Sequence, residues 1–341
     1  TRGMTRSPGT AALRERRRAR SRISGLCTRT TRSREPSAGT STRSYPPHRF
    51  FERPPEVRNP YRWQYDSPDY VVTRAAFIDD LASLLRDGSA VKLIGGRGMG
   101  KSVSLQLVAA RFESDPETRA VVVPGPPDEA SVSACVHQLA RILRVEVPPF
   151  NSMDILMESL AAQGVSRLIL LLDEVDQYVL LEGQGNFARL WLNRLETLRK
   201  SWRDRFTVLV AGGVGLLHVS HVLGSGLVSR AEERIMLPFR HDELAELCRP
   251  LEARGGPLDR VTFELLRNLS GSNPALATYG LGQLWEAGTA SPLLLEQAFA
   301  EFPERHHDFV RAVHDSVSRR GMVGAPGRVL AVLRAQSGPV P

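Results

Sequence analysis

The chain has 341 residues, 42% of them hydrophobic, which is enough for a sizeable core in one or two domains. Its formal charge of +8 is uneven: residues 1–60 hold 15 Arg and 4 Glu with no Asp or Lys, a net +11 that leaves the remainder at −3, so the whole chain does not read as a basic nucleic-acid-binding fold. Cys27, Cys135 and Cys248 are too scattered for a disulfide framework or a zinc site and fit a reducing, cytoplasmic setting, while the longest apolar run, 168–172, is too short to span a bilayer.

Residues 1–58 are rich in Arg, Ser, Thr and Pro and have apolar periodicity of neither helix nor strand. Such a segment cannot bury enough apolar surface to offset its ordering entropy, so disorder is expected. It reads as a solvated tail or sequence upstream of the true start, as a basic arm touching nucleic acid or acidic lipid, or as an organelle transit peptide. Residues 59–69, NPYRWQYDSPD, form a Pro- and aromatic-bearing lead-in. A helix is predicted over 74–86, with Phe77, Leu81, Leu84 and Leu85 at helical spacing and Asp87-Gly88 ending it.

The apolar run 90–94 then stops at a glycine-dense turn that becomes helix-forming from Lys101. The turn is Gly95-Gly96-Arg97-Gly98-Met99-Gly100-Lys101-Ser102, followed by Val103, and its G-x-x-x-x-G-K-S spacing is that of a phosphate-binding P-loop. Glycines let backbone N–H groups come against a phosphate, and the helix start points its positive end at the same anion. Lys101 would reach the β- and γ-phosphates, and the Ser102 hydroxyl would ligate Mg²⁺. Lysine is scarce in this chain, occurring only at 92, 101 and 200, so its presence here is not background.

Beyond the loop, a strand is predicted over 120–123 and helices over 129–143 and 153–163. Residues 167–172, RLILLL, read as a central parallel strand buried on both faces, running into Asp173-Glu174. Open α/β sheets bind ligands at that end of the strands. Asp173 suits the Mg²⁺ shell and Glu174 a general base for an attacking water. A helix over 184–202 and a strand over 206–210, ending in Ala211-Gly212-Gly213, come next. His218 and His221 lie three apart, but third and fourth ligands are missing, so no metal site is read there. A last strand is predicted over 230–238. From His241 onward only helices are predicted, over 242–252, 259–269, 274–286, 292–302, 305–319 and, in part, 328–334.

These stretches together resemble the AAA+-like P-loop ATPases of the archaeal-type and STAND (signal-transduction ATPases with numerous domains) groups. More distantly they are similar to replication-initiator ATPases of the origin-recognition kind. The resemblance covers residues 59–334 and rests on Asn59-Pro60-Tyr61, Val71-Val72-Thr73-Arg74, the P-loop, Leu171 to Asp176, Ala211-Gly212-Gly213, Leu227 to Glu232, Ile235 to Phe239 and the turn Ser270 to Pro274. It implies an α/β P-loop fold of sheet order 5-1-4-3-2 over 59–239, a helical lid over 240–326 and the start of a truncated winged helix or tail over 327–341. It also implies Mg²⁺ held by Asp173, water activated by Glu174 and Arg230 as a candidate sensor of the γ-phosphate. Thr73 stands where the lead-in usually has Gly, and the tip of the fourth strand offers no polar side chain to sense phosphate.

Three functions follow as expectations. The first is a Mg²⁺-dependent ATPase whose cycle switches a conformation in signalling, with a protein partner or a second copy of itself. The second is a module that holds ATP with little turnover. The third is a DNA-associated initiator or loader using the basic N-terminal segment. No membrane association is expected.

Overall fold

Each of the five predicted strands is present in the computed structural model, which describes residues 58–61, 70–129, 131–146, 152–180, 187–213, 215–216 and 225–311. The strands are β1 (Val91–Gly95), β2 (Thr118–Val123), β3 (Arg167–Leu172), β4 (Phe206–Gly212) and β5 (Glu232–Met236). All pair in parallel in the order β2-β3-β4-β1-β5. This is the expected 5-1-4-3-2 sheet, with β4 between the two strands that carry the loop and the acidic turn.

The three inner strands are buried almost throughout, which is why they read as continuous apolar runs rather than alternating ones. Helices α1 (Ala75–Arg86) and α2 (Lys101–Ala110) cover one face through Ile78, Leu81, Leu85, Leu105 and Val108. Helices α3 (Val132–Leu143), α4 (Met153–Ala162) and α5 (Phe187–Trp202) cover the other through residues such as Leu139, Leu156, Trp191 and Leu195. Cys135 and Cys248 are free and buried, and burial pushes both thiols up to about 12, out of the reactive range.

The helical region holds α6 (His241–Gly255), α7 (Arg260–Ser270), α8 (Pro274–Ala287) and α9 (Pro292–Arg305). Side chains of Asp259, Asn273 and Ser291 cap the N-termini of α7, α8 and α9, and left-handed Gly271 and Gly288 end α7 and α8. A core of Leu244, Leu247, Leu251, Leu266, Leu281 and Trp285 holds the bundle together.

Several predicted limits move, each for a local reason. The helix expected from 129 starts at Val132, because the Ser131 side chain accepts the Ala134 N–H and caps it there. The strand expected over 230–238 is confined to Glu232–Met236. Beyond it the Leu237 carbonyl accepts from Arg74 Nη1 at 3.0 Å instead of continuing the ladder. The break expected before Arg305 falls at His306, and residues 307–311 resume a helical course. His218, His221, residues 1–57 and residues 312–341 lie outside the described residues.

The lead-in, grouped in the sequence with the sheet domain, packs on the helical region: Tyr61 and Val72 lie with Leu244, Leu247 and Trp285. The reason is Pro250, inside α6. A proline has no N–H, so the carbonyl four residues back loses its helical partner. That carbonyl is Glu246 O, and Tyr70 Oη donates to it at 3.0 Å. In the next rung Tyr61 Oη accepts from Leu251 N at 2.9 Å and donates to Leu247 O at 3.1 Å. Tyr61 of the lead-in and Tyr70 just after it therefore supply hydrogen bonds to α6 on either side of Pro250.

Candidate functional site

The register decides what can meet at the C-terminal edge of the sheet. Ile94 pairs with Gly212 and Leu172 with Val210, so the loop after β1, the tip of β4 and the acidic turn after β3 lie side by side.

The loop needs its glycines at particular points. Gly98 (φ 77°) and Gly100 (φ 87°) take left-handed conformations that a residue with Cβ adopts only under strain. Gly100 is the residue before α2, and no side chain caps that helix. The first N–H groups of α2, with Ser102 and Val103 in its first turn, therefore face the loop without a side-chain acceptor. Lys101 folds back into the loop: its Nζ donates to Gly95 O at 2.9 Å and Gly96 O at 3.1 Å. Burial lowers its pKa, while the carboxylates of Asp173, Asp176 and Glu174 work in the opposite direction. An ammonium held by two loop carbonyls at the start of α2 is placed to meet an anion bound by the loop.

The three acids differ in setting. Asp173 is only 7% exposed, and its Oδ1 accepts from the Glu174 N–H at 2.8 Å. Glu174 has a left-handed backbone (φ 48°), and its exposed carboxylate accepts from Gln177 Nε2 at 2.7 Å. Burial and the neighbouring Asp173 charge raise the Glu174 pKa. Asp176 turns the other way and accepts from the Gly213 N–H at 3.1 Å. The tip of β4, read in the sequence as lacking any polar side chain, thus receives one from the neighbouring turn.

Within this chain Arg230, the candidate γ-phosphate sensor, is not brought to the loop. It precedes β5, whose first residue Glu232 pairs with Val91, whereas the loop leaves β1 at Gly95. In a parallel pair that places Glu232 about 13 Å of strand rise from the loop, and Arg230, two residues earlier, beyond it at the opposite edge of the sheet.

The helical region reaches the loop through contacts that local sequence reasoning missed. Asn273 Nδ2 donates to Arg97 O at 3.0 Å, and the Ala275 N–H donates to Gly98 O at 3.0 Å. The Arg97 guanidinium lies over the Phe309 ring at 5.7 Å. Arg74, 8% exposed in its side chain, joins the start of α1 to the lid: it pairs with Glu243 at 3.3 Å and stacks on Phe239 at 4.6 Å. Asn273 before Pro274 was legible as a helix start, but nothing in its neighbourhood announces a partner 176 residues away.

Residues 85–219, which hold both the loop and the acidic turn, match the AAA domain family. No curated protein matches the chain. The fold is similar to that of Aeropyrum pernix ORC2 in its ADPNP–ADP complexes, with a TM-score of 0.54 and 16% identity over 74% of this chain and 72% of that one. It is also similar to Aeropyrum pernix ORC1 in complex with DNA, with a TM-score of 0.51 and 17% identity over 80% of this chain and 85% of that one. The fold is therefore an α/β five-stranded parallel sheet of the AAA+ P-loop NTPase kind with a helical C-terminal region.

Proposed function

We propose that the chain binds ATP with Mg²⁺ and hydrolyses it, the cycle acting on the lid as a conformational switch of the kind found in signalling ATPases. The observation that carries this reading is Lys101, held by the Gly95 and Gly96 carbonyls, with a buried Asp173 at the same edge of the sheet, two strands away. The match of residues 85–219 to the AAA domain supports it, since members of that family bind nucleotide and generally hydrolyse ATP.

The donor set fits the metal: a hydroxyl and a carboxylate are hard oxygen ligands, and Mg²⁺ keeps several waters besides. Ser102 and Asp173 would hold it, and when bound it supplies charge neutralisation at the β- and γ-phosphoryl oxygens. The loop amides and the Lys101 ammonium stabilise the charge that develops on the transferred phosphoryl group. Glu174 takes the proton of the attacking water once its side chain has left Gln177. The lid start at Asn273 and Ala275, bonded to Arg97 and Gly98, makes the lid sensitive to whatever displaces the loop.

The test compares full-length wild type, Lys101→Ala and Glu174→Gln for equilibrium MgATP binding and phosphate release. Lys101→Ala should bind about 10–100-fold more weakly, the worth of a charged hydrogen-bond partner. Glu174→Gln should bind normally and turn over about 10²–10⁴-fold more slowly. A wild type that binds MgATP without releasing phosphate would leave a nucleotide-holding module, and no binding at all would end both readings.

A second expected result concerns Gln177. Its 2.7 Å bond holds Glu174 away from the loop, so Gln177→Ala should raise phosphate release by up to about tenfold, the population shift that one such bond sustains. An unchanged rate would mean that Glu174 release does not limit turnover.

A DNA-associated initiator or loader is the alternative. It draws on the similar fold of an ORC1 protein in complex with DNA and on the +11 charge of residues 1–60. DNA affinity that falls steeply with salt and vanishes on removing residues 1–58 would assign such binding to the segment, and retention would assign it to the fold.

A further inference from the structure

We propose that Asp176 is a positioning residue of this site: its carboxylate stands in for the polar side chain that the tip of β4 lacks, facing the γ-phosphate end of a bound nucleoside triphosphate and orienting the attacking water. The proposal rests on the ATP-binding reading above.

The first observation is the way the acids diverge. Glu174 leans over the end of β2: a Cβ placed on Gly125 would stand 3.3 Å from its Oε2. Asp176 leans over the end of β4, where a Cβ on Gly212 would stand 3.0 Å from its Oδ1. Gly212 is the partner of Ile94, the residue just before the loop's first glycine. In the order β2-β3-β4-β1, Asp176 is thus one strand spacing from the loop strand, about 4.8 Å, and Glu174 is three, about 14 Å. In keeping with this, the charge of Asp176 bears on Lys101 more strongly than that of Glu174.

The second observation is the glycine content of the β4 tip. Gly212, Gly213 and Gly215 all lie outside the left-handed backbone region, so conformation does not require glycine at any of them. Added Cβ atoms would come within 3.0 Å of Asp176 Oδ1, 2.8 Å of its Oδ2 and 3.1 Å of its Cβ, respectively. The absence of side chains there makes room for this carboxylate. The same residues that deprive β4 of its own polar group admit one from β3.

The third is spare capacity. Asp176 Oδ2 accepts from the Gly213 N–H, while Oδ1 accepts no hydrogen bond among the described residues, and the side chain is partly exposed. An ionised carboxylate has about four lone-pair sites, so Oδ1 can accept from a water. In the reaction the water oxygen bonds to the γ-phosphorus as the bond to the β–γ bridging oxygen breaks, and ADP leaves. The proton passes to Glu174 after its side chain has left Gln177 and swung toward the loop. Asp176 accepts the water's other hydrogen bond and keeps its charge throughout.

The competing explanation is a latch that only ties the tips of β3 and β4. Asp176→Asn separates the two, because its Oδ1 can still accept from the Gly213 N–H but carries no charge. Full-length wild type, Asp176→Asn and Asp176→Ala are compared for thermal midpoint, for MgATP and MgADP affinity, and for kcat and KM of phosphate release. Asp176→Asn should melt like wild type, bind MgADP within about twofold, raise the ATP-to-ADP affinity ratio severalfold by removing repulsion, and lower kcat about a hundredfold. If Asp176→Asn matches wild type in both kcat and the ratio while Asp176→Ala falls, the residue is only a latch and the proposal is overturned. If wild type binds nucleotide without turnover, hydrolysis fails as a reading, but the affinity ratio still decides: a rise supports a carboxylate facing the γ-phosphate, and no change overturns it. Should Asp176→Asn not fold, Asp176→Ser, small and able to accept from Gly213, carries the same comparison.

Discussion

Gly98→Ala is expected to destabilise the protein by about 2–5 kcal/mol and to free the lid from the loop. Two costs add. Gly98 sits at φ 77°, where an L-residue loses roughly 1–2 kcal/mol. The new methyl would also stand 2.8 Å from Ala275 Cβ, 2.9 Å from Asn273 Oδ1 and 3.2 Å from Phe309 Cζ. Ala275 cannot step aside alone, because its N–H is bonded to Gly98 O at 3.0 Å and it belongs to the first turn of α8. Overpacking of this kind costs about 1–3 kcal/mol. Gly96→Ala is the control: its methyl would meet only Met99 side-chain atoms at 3.7 Å, in ordinary contact and without a left-handed backbone. A drop in thermal midpoint for Gly98→Ala and none for Gly96→Ala is the expected pattern. Equal midpoints for Gly98→Ala and wild type would mean that the contact between loop and lid does not persist in solution.

What local sequence fixes was legible, and what distant packing fixes was not. The loop from Gly95 to Ser102 is a local object: its glycines, lysine and serine need only one strand before and one helix after, both written beside it. Asp173 was legible for the same reason, as the first acid after five buried apolar residues. Arg230 lies away from the loop for a reason the sequence already held. A residue that precedes a parallel strand lies on the edge where strands begin, while the loop lies where they end, so the register with Val91 excluded it. Asp176 was present in the string as one more acid, and its direction became visible only once β4, more than thirty residues later, was placed beside β3 with a glycine tip. The lead-in shows the opposite error. Its likeness to a motif that precedes a nucleotide-binding sheet drew attention to Thr73, while the rings of Tyr61 and Tyr70 answer a proline about 180 residues downstream.

Tyr61→Ala should therefore act on the lid and cost about 3–5 kcal/mol, the usual range for deleting a buried aromatic side chain. Tyr61 is 3% exposed, meets Trp285 edge-on at 6.0 Å between ring centroids, and bridges Leu247 O and Leu251 N inside α6. Against a net stability of about 5–15 kcal/mol for a domain, such a loss is large. Tyr61→Phe keeps the ring and removes the bridge, leaving a rung next to Pro250 to close by itself, at a cost of about 1–2 kcal/mol. Hydrogen exchange locates the effect: amides of α6 around Leu251 should lose protection in both variants, and those of β3 and β4 should keep it. Uniform loss across the sheet would show that lid and sheet unfold as one unit. The selective outcome has a functional consequence, because the lead-in runs on through Val72 and Thr73 into Arg74, whose guanidinium holds Leu237 O, Phe239 and Glu243. A lid loosened at Tyr61 should strain the start of α1 and the end of β5 together, leaving the contacts of Asn273, Ala275 and Phe309 with the loop as direct ties between lid and phosphate site.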